Sequence, residues 1–167
     1  GWAYTSSAFY EAEMRNIFTR EWIGVCRQED VGQPGDYFCA ELVGEPIVVL
    51  RNKRGEVAAF LRTCRHRGAC VVEGRGNARF FRCPFHGWTY NLDGALISAR
   101  GMDESADFQA SEWPLQPLRC EIWQGLVFVN LDADASALAP RLSRLDETLE
   151  SYQVADLRAS GAMVFHN

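Results

Sequence analysis

Cysteine and histidine come together twice in this chain, as Cys64-Arg65-His66 and as Cys83-Pro84-Phe85-His86. Each run offers one thiolate and one imidazole. Two loops of that kind, brought face to face, could bind two metals unequally, with both cysteines on one iron and both histidines on the other. A structural zinc ion is the competing reading, since two Cys and two His also satisfy tetrahedral zinc. Spacing argues against it. Zinc knuckles usually pair Cys with Cys and His with His, whereas each run here mixes the two, as a binuclear cluster with two chemically different irons requires.

Two thiolates on one iron and two imidazoles on its neighbour make up the ligand set of a Rieske [2Fe-2S] centre. The elements that must position these loops are short strands. Ser7 can cap a helix running to about Arg20, with Tyr10, Met14, Ile17 and Phe18 on one face. From Trp22 onward the apolar period becomes that of strands: 22–26, 37–42, 47–50 and 57–61. Asn52-Lys53-Arg54-Gly55 joins the last two as a hairpin, and Gln33-Pro34-Gly35-Asp36 is a turn. The first ligand run follows the strand ending at Leu61 and the second follows 79–82, with Gly74-Arg75-Gly76-Asn77 read as a turn between them, so two hairpin tips carry the four ligands. Thr89-Tyr90 and Ala95 to Ile97 flank the turn Asn91-Leu92-Asp93-Gly94, and 118–123 with 126–131 form a hairpin across Gln124-Gly125. Beyond Asp132 the pattern becomes helical from about Leu138 to Leu149 and ends strand-like over 162–166. An apolar ending and an opening at Gly1 are what a piece cut from a longer protein would show.

Composition bounds the rest. With 167 residues and 47% apolar content the chain can bury a real core, and no apolar run approaches membrane-spanning length. A cytoplasmic location is the simplest expectation. Cys26, Cys39 and Cys120 sit in or beside strand-like runs and read as buried free thiols. Nine of the seventeen basic residues lie between Arg51 and Arg82 against only Glu56 and Glu73, in a chain whose net charge is −5. An acidic chain is a poor nucleic-acid binder, and the basic stretch coincides with the ligand runs, so a docking face for an acidic electron donor fits better. Individual arginines could equally brace the loops.

At Cys-Arg-His-Arg-Gly (64–68) and Cys-Pro-Phe-His-Gly-Trp-Thr-Tyr-Asn-Leu-Asp-Gly-Ala-Leu (83–96) the chain resembles the N-terminal Rieske domain of the large subunit of Rieske-type non-haem iron oxygenases, the ring-hydroxylating dioxygenase family. The helical arm, Pro-Gly-Asp-Tyr (34–37) and Trp-Gln-Gly-Leu-Val-Phe-Val-Asn (123–130) resemble it too. The resemblance implies an all-β, mainly antiparallel fold, with a small cluster-binding subdomain on two hairpin loops, an N-terminal helix and a C-terminal helix. It divides the chain into a helical arm (1–20), a Rieske domain (21–132, cluster-binding part about 62–98), and a connector with the first strand of a catalytic domain (133–167). Carried over, Cys64 and Cys83 bind the inner iron, and His66 and His86 the outer one. Arg65, Arg67, Gly68, Gly87 and Trp88 would surround the cluster or receive the donor. Gly68, Gly87 and Pro84 are read as shaping the turns, and Trp88 as packing over the loop rather than as a redox group.

Phe85 stands where the family more often has Tyr, a small departure. In the family a C-terminal domain supplies a mononuclear Fe(II) held by two His and one carboxylate. Of three His here two belong to the cluster, so His166 alone cannot build that site and no catalytic residue is expected in the chain. Rieske proteins of cytochrome bc complexes join their ligand loops by a disulfide. Ala69 and Phe85 occupy those positions and Trp88 replaces a Ser whose hydroxyl donates to sulfur, which predicts a potential near the low end of the range of about −150 to +300 mV. The implied function is relay of single electrons from a ferredoxin or flavin reductase to that iron, for O2-dependent hydroxylation or demethylation. Neighbouring oxygenase subunits, as a homotrimer, are the implied assembly, with neither nucleic acid nor membrane. A stand-alone Rieske ferredoxin is the alternative.

Overall fold

Asn52-Lys53-Arg54-Gly55 turns the chain between β3 (Glu45–Arg51) and β4 (Val57–Leu61), which pair antiparallel from Ile47 opposite Leu61 to Arg51 opposite Val57. The computed structural model describes residues 1–102, 105 and 107–161. The strand-like ending expected at 162–166, with His166, lies outside the described residues.

β3 explains how one sheet serves two cores. Ile47, Val48, Val49 and Leu50 are all buried, and successive side chains of a strand point to opposite faces. Val48 and Leu50 enter a core with Cys64, Cys83, Trp88 and Tyr90. Ile47 and Val49 enter the other, with Val31, Val127 and Val129. Burying each of these aliphatic side chains contributes about 1.5–3 kcal/mol. β3 is thus the shared wall between the general core and the one beneath the ligand runs.

The larger sheet also contains β1 (Ile23–Arg27), β2 (Asp36–Leu42), β5 (Arg75–Asn77), β9 (Pro117–Trp123) and β10 (Leu126–Asn130), in the order β1-β10-β9-β4-β3-β2-β5. β6 (Phe81–Arg82), β7 (Thr89–Tyr90) and β8 (Leu96–Ser98) form a small separate sheet in sequence order. Both are antiparallel, in keeping with the all-β class the resemblance implies.

Three expectations change. Residues 75–77 are not a turn but an edge strand on β2, because Gly76 lets the backbone lie under the Tyr37 ring: a Cβ there would come within 3.1 Å of its hydroxyl. The N-terminal helix α1 (Ser7–Glu13) is capped by Ser6, not Ser7: Ser6 is extended and its hydroxyl accepts from the Phe9 amide at 3.3 Å. The helix widens over Met14–Phe18, and Tyr10, Ile17 and Phe18 on its apolar face remain exposed. Finally, the half-buried Cys26, Cys39 and Cys120 are free thiols, though less deeply placed than strand periodicity implied.

Side chains tie the sheets and helices together. Asn52, 3% exposed, donates from Nδ2 to Glu56 (2.9 Å) and to Asp93 (3.0 Å), linking the β3–β4 turn to the β7–β8 turn. The turn Gln124-Gly125 has φ of 49° and 76°, which suits a two-residue hairpin. At its foot Trp123 Nε1 donates to Asp146 of helix α2 (Ala139–Leu149) at 2.9 Å. No helix among the described residues is long and apolar enough to cross a membrane.

Candidate metal centre

The two ligand runs fold into the same construction. In the first, the Cys64 amide donates to Ala69 O (2.8 Å) and the Gly68 amide to Cys64 O (2.9 Å). In the second, the Cys83 amide donates to Trp88 O (2.8 Å) and the Gly87 amide to Cys83 O (3.0 Å). Gly68 and Gly87 have φ of 73° and 77°, left-handed backbone that an L side chain disfavours, which explains a glycine four residues after each cysteine. The second run is a true hairpin tip between β6 and β7. The first is closed by a bridge between Thr63 and Cys70 instead, since β4 and β5 pair with other strands.

Cys64 and Cys83 lie at the base of the loops, each 3% exposed, with the Cys83 thiol in hydrogen-bonding contact with Cys64. His66 and His86 meet above them, ring centroids 4.6 Å apart. Thiol therefore faces thiol and imidazole faces imidazole. Among the described residues no three His, Cys, Asp or Glu side chains close around one point. A single tetrahedral zinc would gather its ligands that way, whereas two irons bridged by sulfide ask each metal for only two protein ligands.

The donor set fits such a group. Among the described residues Nδ1 of His66 is buried without a hydrogen-bond partner, which costs about 1–3 kcal/mol unless its lone pair is taken up. Burial, helped by the Cys83 thiol, pushes the Cys64 thiol up, while the Tyr90 hydroxyl pulls it down. Ionising thiols at this depth calls for a metal to carry the counter-charge. Burial, the neighbouring His86 and Arg67 hold the His66 imidazole below its ordinary value, which keeps it neutral and suited to ligation.

Two side chains from the second run and β7 reach across to the first loop. Trp88, 2% exposed, stacks on the His66 ring at 5.0 Å and 11°. Its indole is wedged edge-on against Phe108 (5.6 Å) and Trp113 (5.8 Å). Two residues on, the buried Tyr90 hydroxyl accepts from the Arg65 amide (3.1 Å) and lies 3.4 Å from Cys64 Sγ. Having accepted from Arg65, it is free to donate to the sulfur. Sequence reasoning missed Tyr90. The available signal was its i+2 spacing from Trp88, which places both on one face of a strand.

Of the remaining candidate residues, Arg65 and Arg67 are exposed at the crest of the first loop. Beside the second lies a cleft of about 610 Å³ lined by Arg82, Cys83, Pro84, Phe85, His86, Gly87 and Arg100, without a carboxylate. Phe85 is 59% exposed, so the hydroxyl absent there would have faced solvent.

Two sheets that present paired thiols and paired imidazoles on matching glycine turns define a Rieske iron-sulfur domain, and the chain belongs to that family: the Rieske [2Fe-2S] domain model matches residues 21–116. The family's cofactor is the [2Fe-2S] cluster. Among individual proteins, it is 37% identical over 147 residues to the carnitine monooxygenase oxygenase subunit of Acinetobacter pittii, covering 87% of this chain and 40% of that one. With the biphenyl 2,3-dioxygenase subunit alpha of Rhodococcus jostii it shares 39% identity over 139 residues, or 81% of this chain and 30% of that one. The crystal structure of the apo form of a quaternary ammonium Rieske monooxygenase superposes with a TM-score of 0.90 at 35% identity, covering 95% of this chain and 47% of that one. The chain thus spans less than half the length of the relatives it matches.

Proposed function

We propose that this chain is the electron-relay part of an oxygenase large subunit, and that Cys64 and Cys83 hold one iron of its cluster while His66 and His86 hold the other. The observation that carries the reading is the pairing of thiol with thiol and imidazole with imidazole across two loops of like geometry. The similarity to oxygenase subunits from both the carnitine and the biphenyl systems supports an oxygenase rather than a free carrier. The cluster, when bound, stores one electron at a time. The chain's own residues do the rest. The buried Trp88 and Tyr90 wall the inner side of the site, and the Tyr90 hydroxyl and the His66 amide lie at the Cys64 sulfur. Arg65 and Arg67 place positive charge at the rim, favouring the extra electron and an acidic ferredoxin or flavin reductase that delivers it. The acceptor in this reading is a mononuclear iron outside these residues, which activates O2 for hydroxylation or demethylation, in an assembly of like subunits. The arm, relay domain and connector of the sequence reading are the proposed division of the chain.

Metal and sulfide analysis of the purified protein tests this directly. Two irons and two acid-labile sulfides per chain, lost together in Cys64→Ala, are expected. A single zinc without sulfide would overturn the assignment.

A further inference from the structure

Histidines that ligate metals are ordinarily aimed by a hydrogen bond from the second ring nitrogen to a carboxylate or carbonyl. Among the described residues His66 has no such support: Nδ1 is the buried nitrogen left for the metal, and no side chain or carbonyl accepts from the other ring nitrogen. Its plane is nevertheless defined, because the Trp88 indole lies nearly parallel to it at 11°. The indole cannot follow the imidazole if that ring swings, since it is 2% exposed and held edge-on by Phe108 and Trp113. Its backbone meanwhile belongs to the second loop, where Trp88 O accepts from the Cys83 amide. All six cysteines are free, so no disulfide joins the loops. His86 is placed differently: apart from its meeting with His66, its ring lies against the adjacent Phe85, tilted by 34°, and opens onto the Arg82–Arg100 cleft.

We propose that Trp88 is a positioning residue that fixes the ring plane of His66 alone, clamping the first ligand loop to the second in the role a disulfide or an imidazole hydrogen bond would otherwise fill. The inference rests on the ligand assignment proposed above. Trp88 touches neither metal nor donor; it acts through His66 by restricting rotation about that side chain's χ angles.

The test compares full-length parent, Trp88→Leu, Trp88→Phe and Trp113→Leu proteins carrying the cluster. Nitrogen hyperfine couplings of the reduced cluster, read by pulsed electron paramagnetic resonance, report each imidazole's orientation separately. Trp88→Leu is expected to change one of the two histidine couplings and leave the other, and Trp88→Phe to change the same one by less. Trp113→Leu, which removes one of the two rings that hold the indole without touching His66, is expected to change the same coupling by less than Trp88→Leu. Iron release to an external chelator should rise roughly 10–100-fold in Trp88→Leu. Equal changes in both couplings, or none in a loaded Trp88→Leu protein, would overturn the inference and leave the ligand assignment standing. Should Trp88→Leu fail to retain a cluster, Trp88→Phe decides: equal changes in both couplings, or none in either, count against it. A parent protein without iron and sulfide removes the assignment and this inference together.

Discussion

Tyr90 is the side chain whose contribution is easiest to isolate. A hydrogen bond to a thiolate sulfur draws charge from it and favours the reduced state, so the donor argument made from the sequence was incomplete: the serine hydroxyl is replaced by Trp88, yet a tyrosine hydroxyl stands 3.4 Å from Cys64 Sγ. Tyr90→Phe removes that donor with little change in volume. Its expected effect is a midpoint potential lower by an amount on the order of tens of millivolts, since about 59 mV in a one-electron couple corresponds to a tenfold change in equilibrium. A redox titration of the two proteins measures it; an unchanged or higher midpoint in the variant would show that the hydroxyl does not donate to the sulfur. The two mixed Cys-His runs of the proposed centre were legible in the sequence because thiolates and imidazoles so spaced have few other uses. Tyr90 and the Trp88–His66 stack were not, because each joins residues far apart in the chain and depends on how two loops face each other.

At the level of elements, the strands were legible wherever a short apolar run was unbroken, as in 57–61, and obscure at edges. Residues 75–77 carry the glycine pattern of a turn and become a strand only because β2 offers an unpaired edge. Burial sets the chemistry of the cysteines flanking β10. Cys26 on β1 lies opposite Val127 and Cys120 on β9 opposite Val129, and burial pushes both thiols up from 9.0 to about 12. The pKa is raised in the folded state, so the fold holds neutral thiols that the unfolded chain would ionise. Their contribution to stability is complete below pH 9.0 and is lost as pH rises toward about 12. Denaturant titrations at about pH 8 and about pH 10.5 should show a falling midpoint that is flatter in a Cys26→Ala, Cys120→Ala double variant. Equal slopes in the two proteins would refute this.

For the molecule as a whole, charge is unevenly placed: a net −5 chain concentrates its arginines around the ligand loops, and the cleft beside His86 carries Arg82 and Arg100 without an opposing carboxylate. Such a field accelerates encounter with an acidic partner. Reduction of the cluster by a reduced plant-type ferredoxin should slow steeply as ionic strength rises from about 0.1 to 1 M, where the Debye length falls from about 10 to 3 Å. Reduction by dithionite, a small molecule that needs no docking face, should slow less. Stopped-flow rates that fall equally for both reductants would count against a protein-docking field. Nothing in composition alone located this cleft, because Arg82 and Arg100 are brought together only by the small sheet.

The first ligand loop springs from β4 of the large sheet, whereas the second belongs to the small one. Iron and sulfide seated between them would act as a rivet through two plates joined besides by side-chain packing, the links from Asn52 and Arg54 to Asp93, and the Arg65–Tyr90 hydrogen bond. Stripping the metal should therefore loosen one plate before the other. Limited proteolysis after chelation is expected to cut first around the three short strands of the small sheet, with the larger sheet still intact, so that the digestion pattern becomes a gauge of how much cofactor the protein holds.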